Sequence, residues 1–328
     1  MRRDKGRFKF SCALLNAIGR ALPIGKNGNR HFCILNYHRV LDRPDPLLES
    51  DPDVDTFRWQ MELLSRCFNV IPLCEAVRAA WEGTLPPRAV CITFDDGYRS
   101  VHDLALPILK ELGLPVTVFV TSGYMHEGNM WNDNIIDALR YLPRGALDLS
   151  DIGLGTYTLG PVQDRKQVML DLIKASKYMP PQQRGILDRK LAGMLDDGKQ
   201  RRQMLTREMV VNLARAGVEI GGHTVTHPIL ANLDDASARK EIKQNKEELE
   251  AIIGKPVRLF AYPNGKTGID FDERHVRMVK EAGYMAAFTT IMGAAAKEHD
   301  RYQLPRGLPW DKSPLMFGLR LWRWLKIG

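Results

Sequence analysis

Four short stretches place polar groups where an apolar run ends: Tyr37-His38, Asp95-Asp96, His223-Thr-Val-Thr-His227 and Tyr262-Pro-Asn-Gly265. His223 and His227 stand four apart in "GGHTVTHP", a turn opened by two glycines and closed by Pro228. Imidazoles at that spacing can face one point, and one added carboxylate completes the His₂Asp set of a catalytic zinc-type site. An isolated H-x-x-x-H is a weak signal. "CITFDDGY" strengthens it by bringing two aspartates to another strand end. Two adjacent like charges are costly to bury, and a divalent cation offsets their repulsion. Neighbouring side chains at a strand terminus diverge, so one carboxylate can ligate while the other takes a proton from a water beside the metal. Asp96 could instead cap the helix expected from Ser100, which accounts for one aspartate but not two.

These groups need a scaffold that gathers strand ends. Apolar runs at 33–40, 89–97, 115–123, 217–225, 258–265 and 284–293 alternate with segments of helical period such as "TFRWQMELLSRCF" and "DDASARKEIKQNKEELEAIIG". That alternation is the pattern of βα units and a parallel sheet, either a (β/α) barrel or an open doubly wound sheet. Ligands of such folds bind at the carboxyl ends of the strands, where the polar stretches stand. From about residue 126 to 203 the rhythm breaks into helical segments around a turn-rich piece, "LDLSDIGLGTYTLG", with no strong buried strand. We read it as an insertion forming a lid or flank. Trp131 and Asp133 open it, as groups that could stack on and hydrogen-bond a sugar or, for Trp131, anchor the packing of the insertion.

In that order, "TFDDGY", "HTVTHP" and "FAYPNG" resemble the polysaccharide deacetylase family, the NodB-homology or carbohydrate esterase family 4 hydrolases. The resemblance covers roughly residues 33–125 and 204–308 and implies an α/β fold, a deformed (β/α) barrel with a mainly helical insertion. It also implies metal-dependent removal of acetyl groups from N-acetylated sugars. By that similarity Asp95 is the catalytic base, Asp96, His223 and His227 hold the metal, and the turn at Tyr262 lends its backbone N–H to the oxyanion. Two departures stand out. No Leu-x-x-His supplies the acid near the C-terminal end, whereas "LNYHRV" is similar to the poly-N-acetylglucosamine deacetylase branch, which assigns the acid role to His38. The third motif lacks its usual arginine, and Arg306 in "LPRG" is the substitute, or else the partner of a surface carboxylate. Zinc is the first choice of cation on ligand softness, with nickel, cobalt or manganese admitted.

The chain carries a formal net charge of +8, unevenly placed: residues 1–30 hold a net +7 and residues 301–328 a net +5, so the body between is mildly acidic. Both ends interleave bases with large apolar groups, which suits contact with an anionic membrane surface or packing of a final helix through Trp322 and Leu325. The acidic body disfavours nucleic acid. No stretch has the length of a spanning helix, and five scattered cysteines without a C-x-x-C pair fit a reducing, cytoplasmic setting. The expected division is a basic segment 1–30, a barrel 31–308 and a basic aromatic segment 309–328. The expected substrate is an N-acetylhexosamine of a polysaccharide or its lipid-linked precursor. The competing expectation is an inactive carbohydrate-binding barrel or membrane scaffold.

Overall fold

The apolar runs form strands because nearly every residue in them is buried on both faces, as parallel strands covered by helices require. In the computed structural model, which describes residues 5–21, 31–195 and 202–327, these are β1 (Cys33–Tyr37), β2 (Asn69–Val70), β3 (Ala89–Phe94) and β4 (Thr117–Val120). After a small hairpin, β5 (Gly145–Leu149) and β6 (Gly155–Leu159), come β7 (Glu219–Gly222), β8 (Leu259–Ala261) and β9 (Ala286–Phe288). The main sheet runs β1-β3-β4-β7-β8-β9, all parallel, with the two-residue β2 pairing with the start of β3. All six residues of β3, Ala-Val-Cys-Ile-Thr-Phe, are buried.

Residues 304–307 curl this sheet shut. Leu304 pairs in parallel with Phe288 of β9 and Gly307 with Leu35 of β1. Backbone bonds at 2.8–3.0 Å tie the segment to both edges, among them Leu304 N–H to Ala287 O and Gly307 N–H to Ile34 O. The result is the deformed (β/α) barrel expected from the sequence.

Two of the outer helices begin at aspartate caps, and one of them stops at glycine. Asp53 accepts the Thr56 N–H ahead of the helix Val54–Cys67, and Asp234 accepts that of Ser237 ahead of Asp235–Ile253. Gly254 ends the latter at φ 66°, a left-handed conformation that side chains resist.

The insertion leaves and returns through a narrow neck, where the Gln203 and Met204 N–H groups both reach Gly128 O. It has its own apolar core, including Ile135, Leu139, Leu147, Leu172 and Leu191. The turn-rich piece differs from the sequence reading: it forms the antiparallel hairpin β5–β6. Leu147, Leu149 and Leu159 turn inward there, joined by the half-buried Tyr157, and exposed residues between them hide the strand signal.

The helices Lys5–Ala21 and Pro314–Ile327 pack on one another, with Leu15 against Gly318 and Trp322 over Gly19. Trp322 and Leu325 are buried. Arg2, Arg3, Lys26 and Arg30 lie outside the described residues.

Candidate active site

Asp95 extends β3 by one residue, its N–H bonding to Tyr37 O at 2.8 Å. It shares a strand face with Thr93, two residues earlier, and both point to the Arg306 guanidinium. Nη1 and Nη2 of Arg306 each donate to one Asp95 oxygen at 2.7 Å, and Nε donates to Thr289 O at 3.0 Å. Arg306 is 1 % and Asp95 2 % exposed. Burial alone would raise the Asp95 carboxyl, but the Arg306 charge, followed by His223, holds it below the usual carboxylate range. Each carboxylate oxygen retains a second lone pair, so the pairing leaves Asp95 able to accept a proton.

Asp96 leaves the strand abruptly at φ 71°. Backbone in this left-handed region costs a non-glycine residue roughly 1 kcal/mol or more, and such strain gathers where side chains must be aimed. Of the five non-glycine residues with positive φ among those described, Asp96, Thr224, His227 and Asn264 all belong to the site turns, and only Arg88 lies elsewhere. The turn after Asp96 brings its Oδ1 to 3.3 Å from His223 Nε2 and 3.3 Å from His227 Nε2. A donor of each of the three residues lies within 4.8 Å of the others.

Those separations fit a cation better than a network of hydrogen bonds. Ligands about 2.0–2.2 Å from a tetrahedral ion stand roughly 3.3–3.5 Å apart, which is the spacing seen on both Asp96 edges. His223 Nδ1 lies 2.7 Å from Ala261 O, an acceptor that fixes the proton on Nδ1 and leaves Nε2 free to ligate. Burial pushes the His227 imidazole down to about 4, into the neutral form that ligates. Burial would raise the Asp96 carboxyl, but the imidazoles beside it, His223 first and then His227, hold it low and ionised.

A single helix, Asp235–Ile253, supports the histidine turn from behind. Asn245 is fully buried; its Oδ1 accepts the His223 N–H at 3.0 Å, and its Nδ2 donates to Thr224 O at 2.7 Å and Val120 O at 3.1 Å. Glu241, one turn earlier, accepts the N–H groups of Val225 and Thr226 at 2.8 Å each. These residues escaped the sequence reading. Asn245 had a signal, because it interrupts the buried stripe Ala238, Ile242, Leu249 with a polar group. Gly222, just before the turn, has no room for a side chain, since a Cβ there would meet Asn245 Oδ1 at 2.7 Å.

His38 follows β1 directly and is half-buried. It stands close enough for its charge to act on Asp95, Asp96, His227 and Asp51.

Two expectations need correction. The Tyr262 N–H is committed to Phe288 O at 3.1 Å, because the β8–β9 ladder runs one residue past β8. In the turn that follows, Pro263 has no N–H and the Gly265 N–H returns to Pro263 O, so Asn264 carries the amide without a backbone partner among the described residues. Asp133 is 1 % exposed. Its Oδ1 receives Arg39 at 2.9 Å and the Tyr98 hydroxyl at 3.3 Å, and its Oδ2 receives the Met130 N–H at 3.2 Å. It caps the helix Trp131–Tyr141 and balances the half-buried Arg39, so it does not face a sugar. Trp131 is half-buried under the Arg184 guanidinium and borders a cavity of about 980 Å³ between insertion and barrel, whose wall includes Val225, Thr226 and Pro228 of the histidine turn.

The family model for "Polysaccharide deacetylase" matches residues 82–287. A poly-β-1,6-N-acetyl-D-glucosamine N-deacetylase of Staphylococcus epidermidis is 22% identical over 286 residues, 83% of this chain and 76% of that protein. YxkH of Bacillus subtilis, a putative polysaccharide deacetylase by name, is 26% identical over 102 residues, 31% of this chain and 35% of that protein. The N-deacetylase of Staphylococcus aureus strain N315 is 38% identical over 115 residues, 31% of this chain and 40% of its own length. The matches to the last two therefore span well under half of each relative. Among solved structures, the Streptococcus pyogenes deacetylase PplD in complex with acetate superposes with TM-score 0.61 at 18% identity, covering 90% of this chain and 99% of that one. IcaB from Ammonifex degensii gives TM-score 0.57 at 18% identity, covering 89% and 97%. At such identities these two likenesses speak for the fold.

Proposed function

The chain belongs to the polysaccharide deacetylase family, and from its site we propose a metal-dependent hydrolase that removes the N-acetyl group from an N-acetylhexosamine in a polysaccharide or its lipid-linked precursor. The Staphylococcus relative's named substrate makes β-1,6-linked N-acetylglucosamine the first polymer to try. The observation that carries the proposal is a His₂Asp donor set gathered within 4.8 Å, with a second carboxylate on the adjacent residue, Asp95, held separately by Arg306.

Asp96, His223 and His227 would hold the cation, zinc first and nickel, cobalt or manganese next by donor type. Such an ion supplies Lewis acidity and brings the pKa of a water toward about 7. Asp95, steadied by Arg306, takes a proton from the water that attacks the acetamide carbon. The developing oxyanion needs a preorganised donor. The Asn264 N–H is the amide of its turn free to serve, and such a donor is typically worth about 3 kcal/mol. His38 delivers a proton to the nitrogen as the C–N bond breaks, giving acetate and a free amine. Trp131 borders the cavity beside the histidine turn and offers an apolar face to a neighbouring sugar.

Acetate release from N-acetylglucosamine oligomers tests this reading. Chelator should abolish it and added zinc restore it, while Asp95→Asn should lower it by several orders of magnitude. Activity that survives chelation overturns the metal assignment, and activity that survives Asp95→Asn overturns the base.

A further inference from the structure

Large apolar side chains stand in water on one flank of the barrel. Ile291 and Met292, which follow β9, are 49% and 40% exposed; Trp310 is 45% and Met316 55% exposed. They form one surface. Met292, Met316, Arg320, Arg323 and Trp324 line a single groove of about 510 Å³, and the Arg320 guanidinium lies 5.0 Å from the Trp310 ring and 6.0 Å from that of Trp324.

This flank abuts the segment that closes the barrel. Ile291 O accepts the Arg306 N–H at 2.9 Å, and the Trp324 ring covers Gly307. The surface therefore shares its backing with the arginine that grips Asp95.

Exposed apolar groups so grouped mark an interaction site, and the charges around them select the partner. Asp311 is the one acid of residues 301–328, and it is 9% exposed and paired to Arg320 at 2.5 Å and 2.9 Å. Arg323 and Lys326 are exposed on the same helix as Arg320. Asp45, Glu49, Asp51 and Asp53 line the cavity that also takes in Trp310, so the basic side of the flank is the helix, where Arg323 and Lys326 have no ion pair among the described residues. Tryptophan and methionine interleaved with such bases match the boundary between lipid headgroups and acyl chains, where amphipathic rings settle and each base is drawn to anionic headgroups.

We infer that the flank formed by Ile291, Met292, Trp310, Met316 and Arg323 docks this protein on an anionic phospholipid bilayer. The docked surface brings the closing segment, and with it the catalytic wall, to the membrane, where a lipid-linked glycan would be met. Docking itself does not rest on the proposed chemistry, because hydrolysis of a soluble oligomer and binding to vesicles are read separately.

The test is co-sedimentation of the full chain with phosphatidylcholine vesicles, with and without phosphatidylglycerol. Wild type should pellet with the anionic vesicles, less so at high salt, and stay in solution with phosphatidylcholine alone. Arg323→Glu and Met316→Glu should each weaken binding roughly fivefold or more. Both positions are exposed, so the thermal transition and hydrolysis of a soluble oligomer should not change. Wild type that ignores anionic vesicles overturns the inference. So do variants that bind like wild type, which would place binding elsewhere on the chain, and a stable dimer in solution that Met316→Glu dissociates, which would make the flank a protein interface.

Discussion

Arg306 and Asp95, 211 residues apart in sequence, meet through two parallel 2.7 Å hydrogen bonds at the seam where the sheet closes on itself. Closure of the barrel and positioning of the proposed base are thus one event. Because burial would raise the Asp95 carboxyl and Arg306 lowers it, weakening the pair should raise it. In Arg306→Lys the acid limb of kcat/KM should move to higher pH and kcat should fall, since an ammonium cannot grip both oxygens. A pH–rate profile of wild type and variant checks this. An unmoved limb with an intact fold would show that Asp95 is not the group titrating there. Arg306→Ala should also destabilise by about 3–5 kcal/mol, because it strands a buried carboxylate.

Asn245 and Glu241 touch none of the proposed metal donors, yet they hold the backbone on which two of them ride. Asn245→Ala should weaken zinc affinity by about 10- to 100-fold, the usual loss when groups orienting metal ligands are removed. Glu241→Gln should cost less, since a single side-chain oxygen receives both N–H groups and the amide oxygen can take its place. Competition with a chromophoric chelator reads affinity directly and keeps it apart from turnover. Unchanged affinity in Asn245→Ala would mean that the turn is stiff without its support.

The turn at Asn264 makes the opposite kind of claim, that backbone rather than side chain matters. At φ 60°, Asn264 holds a conformation that glycine adopts freely and a β-branched residue resists. Asn264→Gly should keep activity within about threefold, while Asn264→Val should lose both stability and kcat. A large loss of kcat in Asn264→Gly at unchanged stability would instead assign the work to the side-chain amide.

What the sequence reveals and conceals here follows from the range of each interaction. Strand ends are local signals, so the gathering of His38, Asp95, Asp96, His223 and His227 at one face of a barrel was legible from apolar runs and the polar residues that end them. The bond between Arg306 and Asp95 crosses the seam of the sheet, and no periodicity encodes it; only the substitution for a missing arginine hinted at it. Tyr262 was misread because the β8–β9 ladder continues through it, which spends on Phe288 the N–H expected to be free. Asp133 looked like a polar group on a rim, but Arg39, half-buried over the Tyr98 ring at 3.8 Å, draws it inward. The hairpin β5–β6 was missed because it buries one face only and is rich in glycine.

Asp137 provides a handle on stability away from the chemistry. Its side chain is 3% exposed, beside Arg140 at 2.6 Å and near Asp133. Burial raises its carboxyl to about 6, overriding the attraction of Arg140. The folded protein therefore holds this proton more tightly than the unfolded chain, whose aspartate titrates near about 3.9. The sign follows: between about pH 4 and 6 the folded state binds more protons, so this group's contribution to stability falls as pH rises and stays lost above about 6. The gap corresponds to roughly 2–3 kcal/mol, as an order of magnitude. Asp137→Asn keeps an acceptor for Arg140 without the buried charge. Its thermal transition should match wild type near pH 4 and exceed it above pH 6, with the difference opening between those values. If instead Asp137→Asn is less stable than wild type at pH 7, the ion pair with Arg140 outweighs the cost of burying the carboxylate.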